Sequence, residues 1–265
     1  YYDEFGLDPE TVPAGAGRNP FDEQSCIIVE EYRPEIVSFH FGLPDQDLLQ
    51  RVRETGAKII ASATTVAEAR WLEERGCDAI IAQGAEAGGH RGIFLENDVT
   101  TQPGTMALVP QVVDAVSVPV IAAGGIADGR GIAAAFMLGA SAVQIGTAYL
   151  QCPEALTSPL HRQALANARD DRTVITNIFT GRPARGIINR FIGELGPINE
   201  AAPDFPLATA ACMPLRKAAE GRGSGDFSPL WAGQAAGLAK PMPATDLTQM
   251  LAEDAQTLLS RAAGA

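Results

Sequence analysis

DAIIAQGAEAGGH (Asp78–His90) is the stretch whose reading decides the fold, taken together with VPVIAAGGIADGRG (Val118–Gly131) and AVQIGTAYL (Ala142–Leu150). Each segment opens with a short apolar run of the kind found in strands buried on both faces. Each then breaks at glycine, with polar residues gathered just past the break. In a barrel of parallel strands that position is the C-terminal rim, where chemistry is placed. Gln83, His90, Gly125 and the Gly146-Thr147 pair are expected to face one another across a single mouth.

Outward from these segments, strand and helix alternate strictly. Strands are expected at Glu35–Phe41, Ala57–Ala63, Asp78–Gln83, Val118–Ala123 and Ala142–Tyr149. Helices are expected at Asp22–Tyr32, Asp47–Thr55, Thr65–Arg75, Thr105–Val116 and Gly129–Gly139, with His90–Gly104 a longer loop. The alternation is the mark of parallel α/β architecture and fits either an open doubly wound sheet or a (β/α)8 barrel. A closed barrel needs eight units, so five units mean an open sheet or a barrel short of roughly three units at its front. Tyr1–Phe21, rich in Gly, Pro and acids, reads as an irregular lead-in. The first residue is Tyr rather than Met, so the lack of a signal peptide says little.

Past Cys152 the periodicity changes. Ser158–Ala168 and Thr209–Glu220 are helical, Thr173–Phe191 is an extended excursion with three arginines, and Asp246–Ala263 is a closing amphipathic helix. The expected division is residues 1–152 as the C-terminal part of a barrel, 153–243 as a lid or substrate-side subdomain, and 244–265 as the closing helix.

Charge narrows the partners. Lys plus Arg number 20 against 32 Asp plus Glu, a net charge of −12, with no basic cluster. Nucleic acid and anionic membrane are therefore poor partners. A bound phosphate would have to be held by backbone N–H groups, which glycine-rich turns supply. The four cysteines (Cys26, Cys77, Cys152, Cys212) lie far apart without metal spacing, so packed, reduced thiols in a cytoplasmic protein are expected and no metal site is. No stretch is a convincing membrane span; Ile132–Leu150 reads as a buried helix and strand.

Individual residues admit more than one reading. His90 follows a strand end and the Gly88-Gly89 pair, which would let the backbone pass close to a flat ligand. A histidine there can take a proton from an activated carbon, with Glu86 orienting its ring; a merely buried or solvated histidine is the other reading. Gln83 can donate and accept at once, suiting a heterocycle edge, or can simply cap the barrel mouth. His40, two residues after Ser38 on the same strand face, is a substrate contact or a core histidine. His161 is expected at a helix surface. Gly129-x-Gly131-x-x-Ala134 is a poor dinucleotide fingerprint, since its first glycine lies well past the strand and no acid closes the next one. Gly124-Gly125 and Gly146-Thr147 make better sense as phosphate turns after the last two strands, with chance glycines in tight loops the competing explanation.

AQGAEAGGHRG (Ala82–Gly92), AAGGIADGRGIAAAFMLGASAVQIGTAYL (Ala122–Leu150) and the late WAGQ (Trp231–Gln234) together resemble the FMN-dependent nitronate monooxygenases, formerly 2-nitropropane dioxygenases. The resemblance runs from about Phe21 to the end. It implies a TIM barrel with a mainly helical substrate-side subdomain. It implies FMN held by Gln83, Gly88, Gly125 and the run Gln144, Ile145, Gly146 and Thr147, with His90 the catalytic base and His40 beside the substrate. The implied reaction is oxidation of alkyl nitronates, such as propionate 3-nitronate, or of nitroalkanes by dioxygen to carbonyl compounds and nitrite or nitrate. Family members begin with about three more βα units, so an N-terminally incomplete barrel holding the last five units is expected. Some also carry a Tyr and a Lys in the segment matching Phe205–Met213, where this chain has Thr209 and Met213. Related barrels are NADH-dependent flavin reductases of quinones or enoyl thioesters, a second reading. A non-redox phosphate-ligand barrel or inactive fragment is a third, and a second copy of the chain is an open partner.

Overall fold

A computed structural model gives the fold, describing residues 1–11 and 19–264. The lead-in expected over Tyr1–Phe21 lies partly outside the described residues. In chain order the helices are α1 (Tyr2–Phe5), α2 (Glu23–Tyr32), α3 (Gln46–Glu54), α4 (Val66–Glu74), α5 (Thr105–Val113), α6 (Gly129–Met137), α7 (Pro159–Ala166), α8 (Arg190–Leu195), α9 (Leu207–Gly221) and α10 (Ala244–Ala263). The strands are β1 (Ile36–Phe39), β2 (Lys58–Ala63), β3 (Ala79–Gln83), β4 (Gly89–His90), β5 (Val120–Ala123), β6 (Ala142–Gln144), β7 (Thr173–Thr176) and β8 (Ala184–Ile187).

Five strands form one parallel sheet in the order β1-β2-β3-β5-β6. Neighbours in space are successive in sequence apart from the two-residue β4, and the order never reverses. A doubly wound sheet has a reversal, the switch point at which its ligand binds. The sequential order is that of a (β/α)8 barrel, here a five-stranded arc of one. Alternate strand residues (Phe39, Ile59, Ala61, Ile80, Ala82, Val120, Ala122) bury against Leu49, Val52, Leu72, Leu108 and Val112 of the helices outside. The intervening residues face the barrel interior, as a period of two requires. Register sets Gln83, Ala123 and Gln144 side by side at the C-terminal ends of three strands. Side chains cap several helix starts: Asp22 accepts from the Ser25 amide, Thr65 from Glu68, and Asp128 from Arg130 and Gly131.

Two expectations are corrected. The strand expected to run to Tyr149 stops at Gln144, and Thr147–Gln151 is a 3-10 turn. Coiling sends Ala148 into an apolar cluster with Ile132 and Leu251, and Leu150 into another with Leu230 and Ala232, which one strand face cannot do. The loop expected over His90–Gly104 begins instead in a strand, since Gly89 and His90 pair antiparallel with Arg185 and Ala184 of β8. The excursion after Cys152 therefore contributes β7 and β8, beside its helices, to a second sheet, β4-β8-β7. α1, at the front of the segment assigned to the barrel, packs on that excursion. Its flank Tyr1 meets the rings of Phe191 at 5.4 Å and Phe227 at 5.2 Å. No helix among the described residues is long and apolar enough to cross a membrane.

A buried polar network fixes the rim. The fully buried Arg91 donates to the carbonyls of Gln83 (2.8 Å) and Gly84 (2.7 Å) at the end of β3, and to Gln102 Oε1 (2.7 Å). Gln102 Nε2 donates to Thr64 Oγ1, whose hydroxyl donates to the buried carboxylate of Glu68 at 2.6 Å. Glu68 also accepts from the amides of Thr64, Phe94 and Leu95. Burial, assisted by Arg185, pushes the Arg91 guanidinium down to about 10, while Glu86 and Glu68 oppose that shift.

Arg91→Met should therefore destabilise the fold by about 3 kcal/mol or more, since it leaves three buried acceptors without their donor. Urea unfolding followed by circular dichroism checks this; a midpoint matching wild type would show that the network is not needed.

Candidate active site

His90 stands at the end of β4, where the parallel sheet and the antiparallel excursion meet. Its Nε2 lies 2.9 Å from Thr180 Oγ1. Its ring is boxed by Phe41 and Phe205, both at 5.8 Å between centroids, and by Trp231 at 5.5 Å. Gln83 Nε2 donates to the His90 carbonyl (3.0 Å), and Gln83 Oε1 accepts from the Gly92 amide (2.7 Å). Both ends of Gln83 are thus engaged by the loop that carries His90, so this residue positions the histidine. His40 Nε2 lies 3.3 Å from the same carbonyl. The expectation for Glu86 is corrected: its carboxylate accepts from the amide and hydroxyl of Thr105 at the start of α5, and Thr180 takes the place beside the ring.

A cavity of about 230 Å³ opens beside this box. Gln83, Gly88, Gly125, Gln144, Gly146 and Thr147 line it together with Gly124 and Gly233, and Trp231 forms a wall common to the cavity and the histidine box. Gly124 (φ 108°) and Gly125 (φ 70°) adopt the left-handed region that other residues resist. A side chain at Gly146 would project into open space. Among the described residues the Gly125 and Gly146 amides donate to no other protein atom. Gly88, besides lining the cavity, permits one loop backbone to lie on another, since an added Cβ would lie 2.5 Å from the Gly233 amide nitrogen. That second loop is fastened by Gly233 N to Thr147 Oγ1 (2.9 Å) and Gln234 N to the Glu86 carbonyl (3.0 Å). Ile145 packs with the apolar cluster of α6 and α10, so only its backbone can meet a ligand in the cavity.

Sequence reasoning missed Phe41, Thr180, Arg182, Phe205 and the wall role of Trp231. Phe41 has φ 69°, a conformation a bulky residue holds only when its surroundings impose it, and such residues gather at functional sites. The GRP turn at Gly181–Pro183 was the one available signal for Thr180 and Arg182. His161 is also corrected. It is half-buried, with Nε2 3.0 Å from the Trp231 carbonyl, because α7 packs under that loop.

A barrel enzyme with a glycine-lined cradle beside a fixed histidine is the class that fold and site define. A family model described as Nitronate monooxygenase matches residues 1–254. A nitronate monooxygenase of Pseudomonas aeruginosa is 43% identical over 253 residues, spanning 95% of this chain and 72% of that protein. A probable nitronate monooxygenase of Staphylococcus saprophyticus is 41% identical over 246 residues, spanning 92% and 69%. Among solved structures, nitroalkane oxidase from Streptomyces ansochromogenes superposes with a TM-score of 0.88 at 38% identity, covering 100% of this chain and 75% of that one. FabK from Thermotoga maritima does so with a TM-score of 0.75 at 30% identity, covering 93% and 76%. The chain belongs to the nitronate monooxygenase family and is an oxidoreductase with the TIM-barrel fold. The family is generally flavin-dependent, and the cavity fits a flavin nucleotide's phosphate: among the described residues the Gly125 and Gly146 amides have no protein partner, and the Glu86 carboxylate that also lines it is engaged by the amide and hydroxyl of Thr105.

Burial lowers the pKa of His40, with Arg91 and Arg182 adding to the shift and the His90 carbonyl opposing it. Burial lowers that of His161 too, with the Trp231 carbonyl opposing and Arg216 assisting. The folded state thus favours both neutral rings, and below the ordinary histidine value of about 6.5 the unfolded chain binds more protons. Stability should fall as pH drops below that value. His161→Gln should lessen the difference between urea midpoints at pH 7.5 and 5.5; an unaltered difference would remove His161 from the account.

Proposed function

We propose that the protein oxidises nitronates and nitroalkanes with FMN as its redox group and dioxygen as oxidant. The observation that carries this is the single wall, Trp231, shared by the glycine-lined cavity and the boxed His90. In this reading the backbone at Gly125 and at Gly146-Thr147 holds the phosphate, while Gln83 and Gln144 lie at the same level of the barrel mouth. FMN, when bound, supplies the electron-accepting chemistry that side chains lack.

The remaining steps belong to the chain. The aromatic rings around His90 shield part of the imidazole from water. The contact with Thr180 fixes the ring plane, and the Gln83 bond to the His90 carbonyl fixes its height above β3. An imidazole so held removes the proton from the carbon bearing the nitro group and generates the nitronate in place. A nitronate supplied from solution skips that step.

His90→Asn should keep its FMN yet slow turnover of neutral nitroalkanes by about 10²-fold or more, the usual worth of a general base, while sparing preformed nitronates. Oxygen uptake with both substrate forms measures this; equal loss on both would exclude proton abstraction. Anaerobic mixing with NADH separates the reductase reading, in which the flavin bleaches without a nitro compound.

Gly125→Val should lose bound flavin, because valine at φ 70° is strained and its side chain enters the cradle. The absorbance of purified protein near 450 nm, the region of flavin absorption, is the measurement. Wild-type flavin content in that variant would sink the assignment of the phosphate turn.

A further inference from the structure

The turn between β7 and β8 and the loop between α8 and α9 dock on each other beside His90. Asn177 holds both. Its carbonyl accepts from the amides of Gly181 (2.7 Å) and Thr180 (3.4 Å), which closes the turn. Its side chain reaches the loop: Nδ2 donates to the Asn199 carbonyl and Oδ1 accepts from the Asn199 amide, both at 3.0 Å. A carboxamide carries the donor and acceptor of a peptide group, so it can pair with one at both ends. Gly181 makes the second contact. Its φ is 85°, and an added Cβ would overlap the backbone of Pro203, Asp204 and Phe205. The loop can lie on the turn only because position 181 has no side chain, and backbone cannot swing aside as a flexible side chain would. α9, which follows the loop, is held to the same turn by Cys212 Sγ, 3.4 Å from the Ile178 carbonyl.

Turn and loop each carry a residue to the histidine. Thr180 lies 2.9 Å from its Nε2, and the Phe205 ring lies 5.8 Å from the imidazole and 5.7 Å from the Phe41 ring. The Arg182 guanidinium, also in the turn, stacks on Phe41 at 4.1 Å and faces Phe205 at 5.9 Å. We propose that Asn177 and Gly181 are positioning residues. They lock residues 196–206 onto the turn, hold the Phe205 ring beside His90, and so limit the bulk of the nitro compound that the imidazole admits. The bulk limit rests on the nitro-oxidation reading, whereas the docking of Phe205 beside His90 does not. Losing either contact shifts the loop, and Phe205 moves with it because the overlap at position 181 includes the Phe205 amide nitrogen itself.

The test reads access to the imidazole directly. Carbethoxylation of the purified protein by diethyl pyrocarbonate is followed peptide by peptide in a mass spectrometer, so that His40, His90 and His161 are counted separately. Asn177→Ala and Gly181→Ala should each raise the His90 rate about 5-fold or more, the worth of a lost hydrogen bond, and approach Phe205→Ala, while His161 keeps its rate. In a Phe205→Ala background neither substitution should add anything, because residues that act through one ring are not additive. An unchanged His90 rate in Asn177→Ala, or a full further increase in the Phe205→Ala background, overturns the lock. Should Gly181→Ala fail to fold by circular dichroism, Asn177→Ala, which introduces no overlap, decides alone. The ratio of kcat/KM for nitrocyclohexane over nitroethane should rise about 5-fold in all three single variants, on the same arithmetic. An unchanged ratio overturns the bulk limit. If the wild type oxidises neither compound yet His90 access follows the variants, the nitro-oxidation reading and the bulk limit fall and the lock stands.

Discussion

The Arg91 guanidinium, buried and without a direct ion pair among the described residues, is the constraint on which the site depends. Strand ends expose carbonyls that have no ladder partner, and a buried one must find a donor. Arg91 supplies donors to two such carbonyls at once, at Gln83 and Gly84, and so pins the chain just past β3. Through Gln102 and Thr64 the same network reaches Glu68, which in turn holds the amides of Phe94 and Leu95. The loop from His90 to Leu95 is therefore fastened at its beginning and its end to different βα units. A histidine on an untethered loop would have no fixed height above the sheet.

Around that constraint the site is assembled from two architectures. The parallel strands supply one row of tips, Gln83, Ala123 and Gln144, with glycine turns beyond two of them. The antiparallel excursion supplies the walls: Thr180, Arg182, Phe205 and Trp231. β4 is the seam, two residues long, and it pairs His90 with Ala184 across 94 positions of sequence. The division of labour follows from geometry. A barrel rim offers backbone amides at a fixed level, suited to a phosphate, whereas a hairpin folded over it can place rings and a cation above that level.

Charge shows the same economy. The chain carries a net −12, yet the cradle's one carboxylate, Glu86, is spent on capping α5, and among the described residues no carboxylate pairs with Arg182 beside the histidine box. Local fields at the site thus oppose the global charge, as an anionic ligand requires. Burial lowers the pKa of His40 beside Arg182, which favours its neutral form there.

Much of this was legible in the amino-acid order. Apolar runs ending at Gly84, Gly124 and Gly146 marked parallel strands with functional tips, because strand burial and glycine turns are local properties of the chain. His90 and the glycines lining the cavity could be picked out for the same reason, and the three motifs together placed the family. What the sequence alone left open was barrel against open sheet, since alternation is common to both and only strand order separates them. It misread Glu86 and His161, whose roles are set by partners far away in sequence. It did not see β4, Phe41 or Arg182 at all, because a two-residue strand has no period, a left-handed phenylalanine has no signature, and an arginine shows its missing counter-charge only once the chain has folded around it.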